Sequence, residues 1–266
     1  MKTPEIAGIA ISHPDKIIYP KLGITKLEMV EYYEKVAENM LPYLKDRPLT
    51  LHRFPNGIGD DGFYQKSAGD YFPSFIKRVE IKTEEGSNTQ VICNNKKSLI
   101  YLANQGTLEF HIWLAKADKL TMPDKVVFDL DPSGNNFNKV KDAAKYVREY
   151  LLKQGLEPQL MTTGQQGLHL RYTHRRTKTF DERRTDVKQM ALELEKKYPK
   201  LLTTAVRKDN REGKLFLDYL RNAYAQTSVC PYSLRANEAA GIAMPISWDE
   251  LDSLKSASEF TLKDFK

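Results

Sequence analysis

Apolar positions recur every three or four residues between Thr25 and Leu44, where Leu27, Val30, Val36, Ala37, Met40 and Leu41 form one broad face. That spacing predicts an amphipathic helix, and Thr25 with Glu28 three positions on supplies a capping box at its start. The period then changes. RPLTLHR reads as a strand ending at the turn Pro55-Asn56-Gly57. FYQKS, RVEIKT and TQVICN read as further short strands before a short helix near Ser98 to Gln105. From Lys125 onward strand and helix alternate. A strand over 125–130 leads through Pro132-Ser133-Gly134 into a helix over 138–153, with Gly155 as its stop. EPQLMTT and LHLRYT are strands flanking the tight turn GQQG, and a charged helix beginning at FDERR ends near Pro199. TTAVRK and KLFLDYL are expected to pair across the turn NREG. With no internal repeat and no linker, the pattern predicts an α/β (α+β) fold of two closely packed modules, about 1–120 and 121–255, followed by a tail over 256–266.

Composition narrows the class only modestly. A chain of 266 residues can bury a substantial core. Lys plus Arg number 41 against 35 for Asp plus Glu, a net +6, which suits a polyanionic partner without requiring one. No apolar run approaches the roughly 20 residues of a membrane span, and MKTPEIAGIA has no secretory pattern. Cys93 and Cys230 form no CxxC, which argues against structural zinc. Two free thiols and no export signal give a cytoplasmic expectation.

The candidate chemistry begins in KVVFDLDPSG. Side chains two apart on a strand share a face, so Asp129 and Asp131 point the same way at an exposed strand end. Paired carboxylates suit Mg²⁺ or Mn²⁺, although a solvated strand end is the commoner reading of a bare D-x-D. Asp218 in KLFLDYL is a carboxylate among Leu, Phe and Tyr, to be satisfied by metal or by a salt bridge with Arg221 or Lys214. In TTGQQGLHL, Gly164 and Gly167 bracket a turn whose backbone N–H groups can face a phosphate, with His169 two residues beyond. In TLEFHIW, alternation puts Glu109 and His111 on one face. HPDK, ITK, HRFPNG, GFYQK and YSLRA scatter basic and aromatic side chains suited to phosphates and bases.

Taken in order, HPDK-x2-YP, GITK, RFPNG, GFYQK, LEFH, VVFDLDPSG, TTGQQGLHL, LDY and PYSLRA resemble the polymerase domain of bacterial ligase D, from about residue 11 to about residue 251. That domain belongs to the archaeo-eukaryotic primase superfamily and serves non-homologous end joining. The resemblance implies a primase-like core with a metal site at strand ends between the modules. It implies a nucleotidyltransferase that extends primers at DNA breaks or gaps with nucleoside triphosphates, preferring ribonucleotides. Asp129, Asp131 and Asp218 match its metal-binding carboxylates for two Mn²⁺ or Mg²⁺ ions. Thr163, Gly167 and His169 match the motif holding the triphosphate, Arg235 a further triphosphate contact, and His111 a residue near the incoming ribose. Lys16 and Lys26 match a pocket for the 5′-phosphate at a break. Phe63 and Tyr64 match aromatics stacked on the template, with Arg53 in the neighbouring segment.

The resemblance also implies Ku and a separate DNA ligase as partners, a nucleoid-associated location, and no membrane. Three positions depart from the pattern: Gln166 stands where relatives carry Lys, Asn237 where they often carry a second Arg, and His13 where some carry Asn. No ligase or nuclease domain accompanies these 266 residues. Two alternatives remain from the residues themselves. One is a Mn²⁺-dependent glycosyltransferase built on D-x-D, which leaves Asp218 and the paired lysines unexplained. The other is a non-catalytic DNA-end-binding module, which has no use for three intact aspartates.

Overall fold

A computed structural model describes residues 3–83 and 86–265. Two short hairpins come first, β1 (Glu5–Ile6) with β2 (Ile9–Ala10) and β3 (Ile17–Tyr19) with β4 (Ile24–Thr25). Helix α1 (Lys26–Leu44) starts at the expected capping box: Thr25 accepts from the Glu28 N–H and the Glu28 carboxylate accepts from the Thr25 N–H. There follow β5 (Pro48–Arg53), β6 (Phe63–Gln65), β7 (Lys77–Thr83), β8 (Gly86–Ile92), α2 (Lys96–Asn104) and β9 (Thr107–Trp113). The second half holds β10 (Lys125–Asp131), α3 (Phe137–Lys153), β11 (Gln159–Thr162), β12 (Leu168–Thr173) and α4 (Phe180–Lys197). It ends with β13 (Leu202–Thr203), β14 (Leu215–Asp218), β15 (Thr227–Val229) and β16 (Pro245–Ile246). Among the described residues no helix is long and apolar enough to cross a membrane.

Two sheets carry the fold, in the orders β15-β9-β5-β8-β7 (with β6 on β5) and β13-β14-β10-β12-β11-β16. Each has its own core. Met29, Tyr33, Val36 and Met40 of α1 and Leu99 and Leu102 of α2 pack with Leu49, Leu51, Leu108 and Phe110 of the first sheet. Val126, Phe128 and Leu130 of β10 pack with Val140, Val147 and Leu151 of α3 and Val187 and Leu194 of α4. Each such side chain contributes about 1.5–3 kcal/mol by leaving water. Strand alternation then turns Val127, Asp129 and Asp131 to the opposite face.

Two expectations need restating. TTAVRK and KLFLDYL do not form a hairpin across NREG: β13 is two residues long and runs parallel to β14. Arg211 explains the difference, because it folds inward from the supposed turn. Its guanidinium donates to the carbonyls of Ala205 and Val206 and to Asp131, which holds the connection as an irregular loop. The sheets also exchange chain. β15 returns to pair with β9, and Cys230, Leu234, Ile242 and Leu262 join the first core, so a boundary near residue 120 does not separate the cores. The segment after 256 is built in as well. The Ala257 carbonyl accepts from Gly164 N–H, and Phe265 packs edge-on against Tyr32.

Candidate active site

Register assembles the acidic end of the site. In the antiparallel pairs of β10, Asp129 lies opposite His169 of β12 on one side and Asp218 of β14 on the other. Three neighbouring strands thereby place these side chains in one row on one face, with Asp131 two residues along. β14 stops at Asp218, and the Asn222 side chain continues the pairing by exchanging hydrogen bonds with the N–H and carbonyl of Val127. That tight turn projects Arg221 over the row. Its Nε lies 3.7 Å from Asp129 and 3.6 Å from Asp218. His169 Nε2 is 3.4 Å from Asp129, Arg211 Nη1 is 2.9 Å from Asp131, and Asp218 accepts from Leu220 N–H at 2.7 Å.

The electrostatics of the row diverge. Burial raises the Asp218 carboxyl above its usual range, and the charges of Asp129 and Asp131 push the same way, against the Leu220 N–H and Arg221. Burial alone would raise Asp129 too, but His169, Arg221 and Arg235 hold it below the usual range. Mutual repulsion among close carboxylates is what a divalent cation relieves, and an all-oxygen donor set suits Mg²⁺ or Mn²⁺. Among the described residues no group of three or more His, Cys, Asp or Glu side chains is arranged to hold an ion as it stands. Asp131 is turned toward Arg211, so the residues fit a cation by composition and common face, once that arginine yields.

The GQQG turn stands beside the row. Gly164 has φ +68°, and a Cβ there would meet Ile242 backbone at 2.7 Å and Arg235 Cγ at 2.8 Å. A Cβ on Gly167 would meet the Leu130 carbonyl oxygen at 2.4 Å, so this glycine lets the turn lie against β10. The N–H groups of Gly164, Gln165 and Gly167, expected to face a phosphate, are bonded within the protein. Thr163 Oγ1 accepts from the N–H groups of Gln165 and Gly167, and Ala257 takes that of Gly164. Arg235 Nη1 donates to the Thr163 carbonyl and Asn237 Nδ2 to that of Gly164, clamping the turn from outside. Asn237, the departure from the family pattern, thus serves as a clamp.

The opposite wall comes from the first sheet. Glu109 of β9 is 2% exposed and accepts from four donors. His111 Nε2 lies 2.9 Å and His52 Nδ1 3.2 Å from its Oε2, while Arg235 Nε and Ala236 N–H reach its Oε1 at 3.0 Å each. Burial would raise Glu109, yet the two histidines and Arg235 hold it far below the usual carboxylate range. Burial pushes His111 down. Tyr64 stacks flat on His52 with ring centres 4.0 Å apart.

The structure gathers one set of expected residues around a single cavity of about 830 Å³. Asp129, Asp131, Asp218 and His169 line it, together with His111, Thr163, Gly167 and Arg235. The other set lies outside that lining. Lys26 N–H donates to the Lys16 carbonyl, Lys26 Nζ to Ser12 Oγ, and Lys16 Nζ to the Pro55 carbonyl. Burial, with the neighbouring charges of Lys16 and Arg53, pushes the Lys26 ammonium down to about 8. Arg53 is only 7% exposed and spends its guanidinium on the Gln105 carbonyl, Gln65 and Tyr71, 5.4 Å from the Phe63 ring. It braces this surface from beneath, whereas Phe63 and Tyr64 are exposed on it. Sequence reasoning gave no role to Glu109 or Arg211 and named Arg221 only as a possible partner of Asp218. Only the alternation of TLEFH hinted at the first.

Known proteins resemble the chain over nearly its whole length. A family model described as "LigD, primase-polymerase domain" matches residues 25–266. The multifunctional non-homologous end joining protein LigD of Mycolicibacterium smegmatis is 34% identical over 246 residues, which is 91% of this chain and 32% of that protein. The bifunctional LigD of Bacillus subtilis is 34% identical over 250 residues, 93% of this chain and 40% of that protein. The chain therefore spans about a third of the length of the curated relatives it matches. A solved structure of the polymerase domain from Mycobacterium tuberculosis ligase D in complex with DNA superposes with a TM-score of 0.90 at 30% identity, covering 96% of this chain and 92% of that one.

Proposed function

The chain belongs to the LigD primase-polymerase domain family, and from that premise we propose that it is a DNA-repair polymerase acting in non-homologous end joining. It extends a primer at a DNA break or gap with nucleoside triphosphates, ribonucleotides preferred, and works with two Mn²⁺ or Mg²⁺ ions. The observation that carries this reading is the convergence of Asp129, Asp131 and Asp218 with His169 and Arg235 on one cavity. The D-x-D glycosyltransferase reading gives no role to Asp218 or to the paired lysines.

Asp129, Asp131 and Asp218 would hold the cations, which when bound favour ionisation of a primer 3′-hydroxyl and neutralise charge developing on the phosphates. The protein supplies the rest by positioning. Arg235, fixed by Glu109 and the Thr163 carbonyl, presents a rigid guanidinium to the triphosphate. His169 offers an imidazole between that phosphate site and Asp129. Gly167 keeps the turn close enough to β10 for both to reach one ligand. Lys16 and Lys26 form the recognition point for a 5′-phosphate across the gap, and Phe63 and Tyr64 offer faces on which template bases stack. Gapped DNA, nucleoside triphosphates, Ku and a ligase are the partners of this reading.

The test is extension of a gapped duplex with Mn²⁺ and labelled nucleoside triphosphates. Asp129→Ala, Asp131→Ala and Asp218→Ala should each abolish extension while DNA binding stays within about twofold, because none is assigned to the DNA backbone. Near-normal turnover in any one removes that residue from the site.

A further inference from the structure

Glu109 contacts neither end of the reaction as assigned above, yet four donors converge on it from three places in the chain. His52 is on β5, His111 on β9, and Arg235 and the Ala236 N–H come from the segment after β15. An ionised carboxylate only accepts, so each ring nitrogen facing it carries a proton. That fixes both imidazoles. In His111 the proton sits on Nε2, and in His52 on Nδ1. Burial keeps His111 neutral, which leaves its Nδ1 as a bare lone pair. No described residue donates to that atom, while the residue itself lines the cavity.

The geometry points to Glu109 as the positioning residue that makes His111 an acceptor-only reader of a sugar hydroxyl and locks that reader to Arg235 and, through His52, to Tyr64. A bare imidazole nitrogen accepts from a hydroxyl and gains nothing from a C–H in its place. With the tautomer reversed, Nδ1 would be a donor and would lose that discrimination. The same carboxylate holds Arg235 by Nε, so the sugar reader and the phosphate contact keep one spacing. His52 carries the stacked Tyr64 ring at 4.0 Å, and Tyr64 also meets His111 edge-on at 5.8 Å. A template-facing aromatic and a nucleotide-facing histidine are therefore held by one buried anion. Its partners lie far apart in sequence, since Arg235 follows Glu109 by 126 residues.

The inference deepens the polymerase reading and rests on it for the identity of the ligand, but its first readout does not. The protein has 5 histidines, so the ring nitrogens of ¹⁵N-histidine-labelled protein can be resolved by NMR. At neutral pH, His111 should show a protonated Nε2 and an unprotonated Nδ1, and His52 a protonated Nδ1. A proton on His111 Nδ1 overturns the proposal whether or not the protein extends a primer. The second readout is affinity for ATP and dATP, which differ by one 2′-hydroxyl, measured with Mn²⁺ and no primer. Glu109→Gln should lower the ATP-over-dATP ratio by about threefold or more, because an amide presents an N–H to one of the rings. Equal loss of both nucleotides, or unchanged tautomers in Glu109→Gln, marks Glu109 as structural only and overturns the proposal. Should Glu109→Gln not fold, His111→Phe, which removes the lone pair and keeps the ring, must bring the ratio close to one; an unchanged ratio is contradictory.

Discussion

Lys26 shows how much one side chain's surroundings set its use. Its ammonium is 6% exposed, bonded to Ser12, and pressed by Lys16 and Arg53, which together with burial bring it down to about 8. A 5′-phosphate has its second ionisation near pH 6, so above neutrality its charge is constant while Lys26 loses its own. The sign follows: preference for 5′-phosphorylated over unphosphorylated gapped DNA should shrink as pH rises from about 7 to about 9.5. Lys26→Arg, which keeps its charge, should flatten that slope. Removing both lysines with Lys16→Ala and Lys26→Ala should cost roughly tenfold or more on phosphorylated DNA and little on the unphosphorylated form, since charge-assisted contacts are worth about 1.5–3 kcal/mol. Binding of the two DNAs across pH at one salt concentration checks both statements. A pH-independent preference, or an equal loss on the two DNAs, leaves the lysines as general surface charge.

Among the elements, those whose logic is local were legible in the sequence. α1 announces itself because Thr25, Glu28 and the apolar face lie within one stretch, and β10 because alternation alone puts Asp129 and Asp131 together. What depends on register was not legible. Nothing near Asp218 says that it will lie opposite Asp129, since that pairing joins strands almost 90 residues apart. The β13–β14 connection looked like a hairpin because NREG has turn composition. A buried Arg211 reaching Asp131 across 80 residues decides otherwise. Glu109 was visible as a face and invisible as a hub, because two of its partners lie 57 and 126 residues away. The GQQG turn gives the element-scale prediction. Gly167→Ala places a methyl against the Leu130 carbonyl, so the turn must lift from β10. Affinity for ATP with Mn²⁺ should fall about tenfold or more, while the far-ultraviolet spectrum stays that of a folded protein. Unchanged affinity would mean that the close approach does not serve the nucleotide.

For the whole molecule, the return of β15 to β9 makes the two sheets interdependent. A fragment of residues 1–120 keeps α1, α2 and most of the first sheet but loses the β15 partner and the Cys230, Leu234, Ile242 and Leu262 side chains of its core. It should aggregate or lack a cooperative melt, with β9 left as an open edge; a monomeric fragment with a sharp transition would show separable modules. The same interlocking puts the cavity between the halves, with aspartates from one sheet and the Glu109 cluster from the other. The central claim is that this cavity transfers nucleotides under the direction of a template. The most direct measurement offers four gapped duplexes, differing only in the templating base, to the protein with Mn²⁺ and each labelled nucleoside triphosphate in turn. The account predicts that each duplex takes up its complementary nucleotide preferentially, and that Asp129→Ala abolishes uptake on all four. Uptake independent of the templating base, or none with any nucleotide, would contradict it.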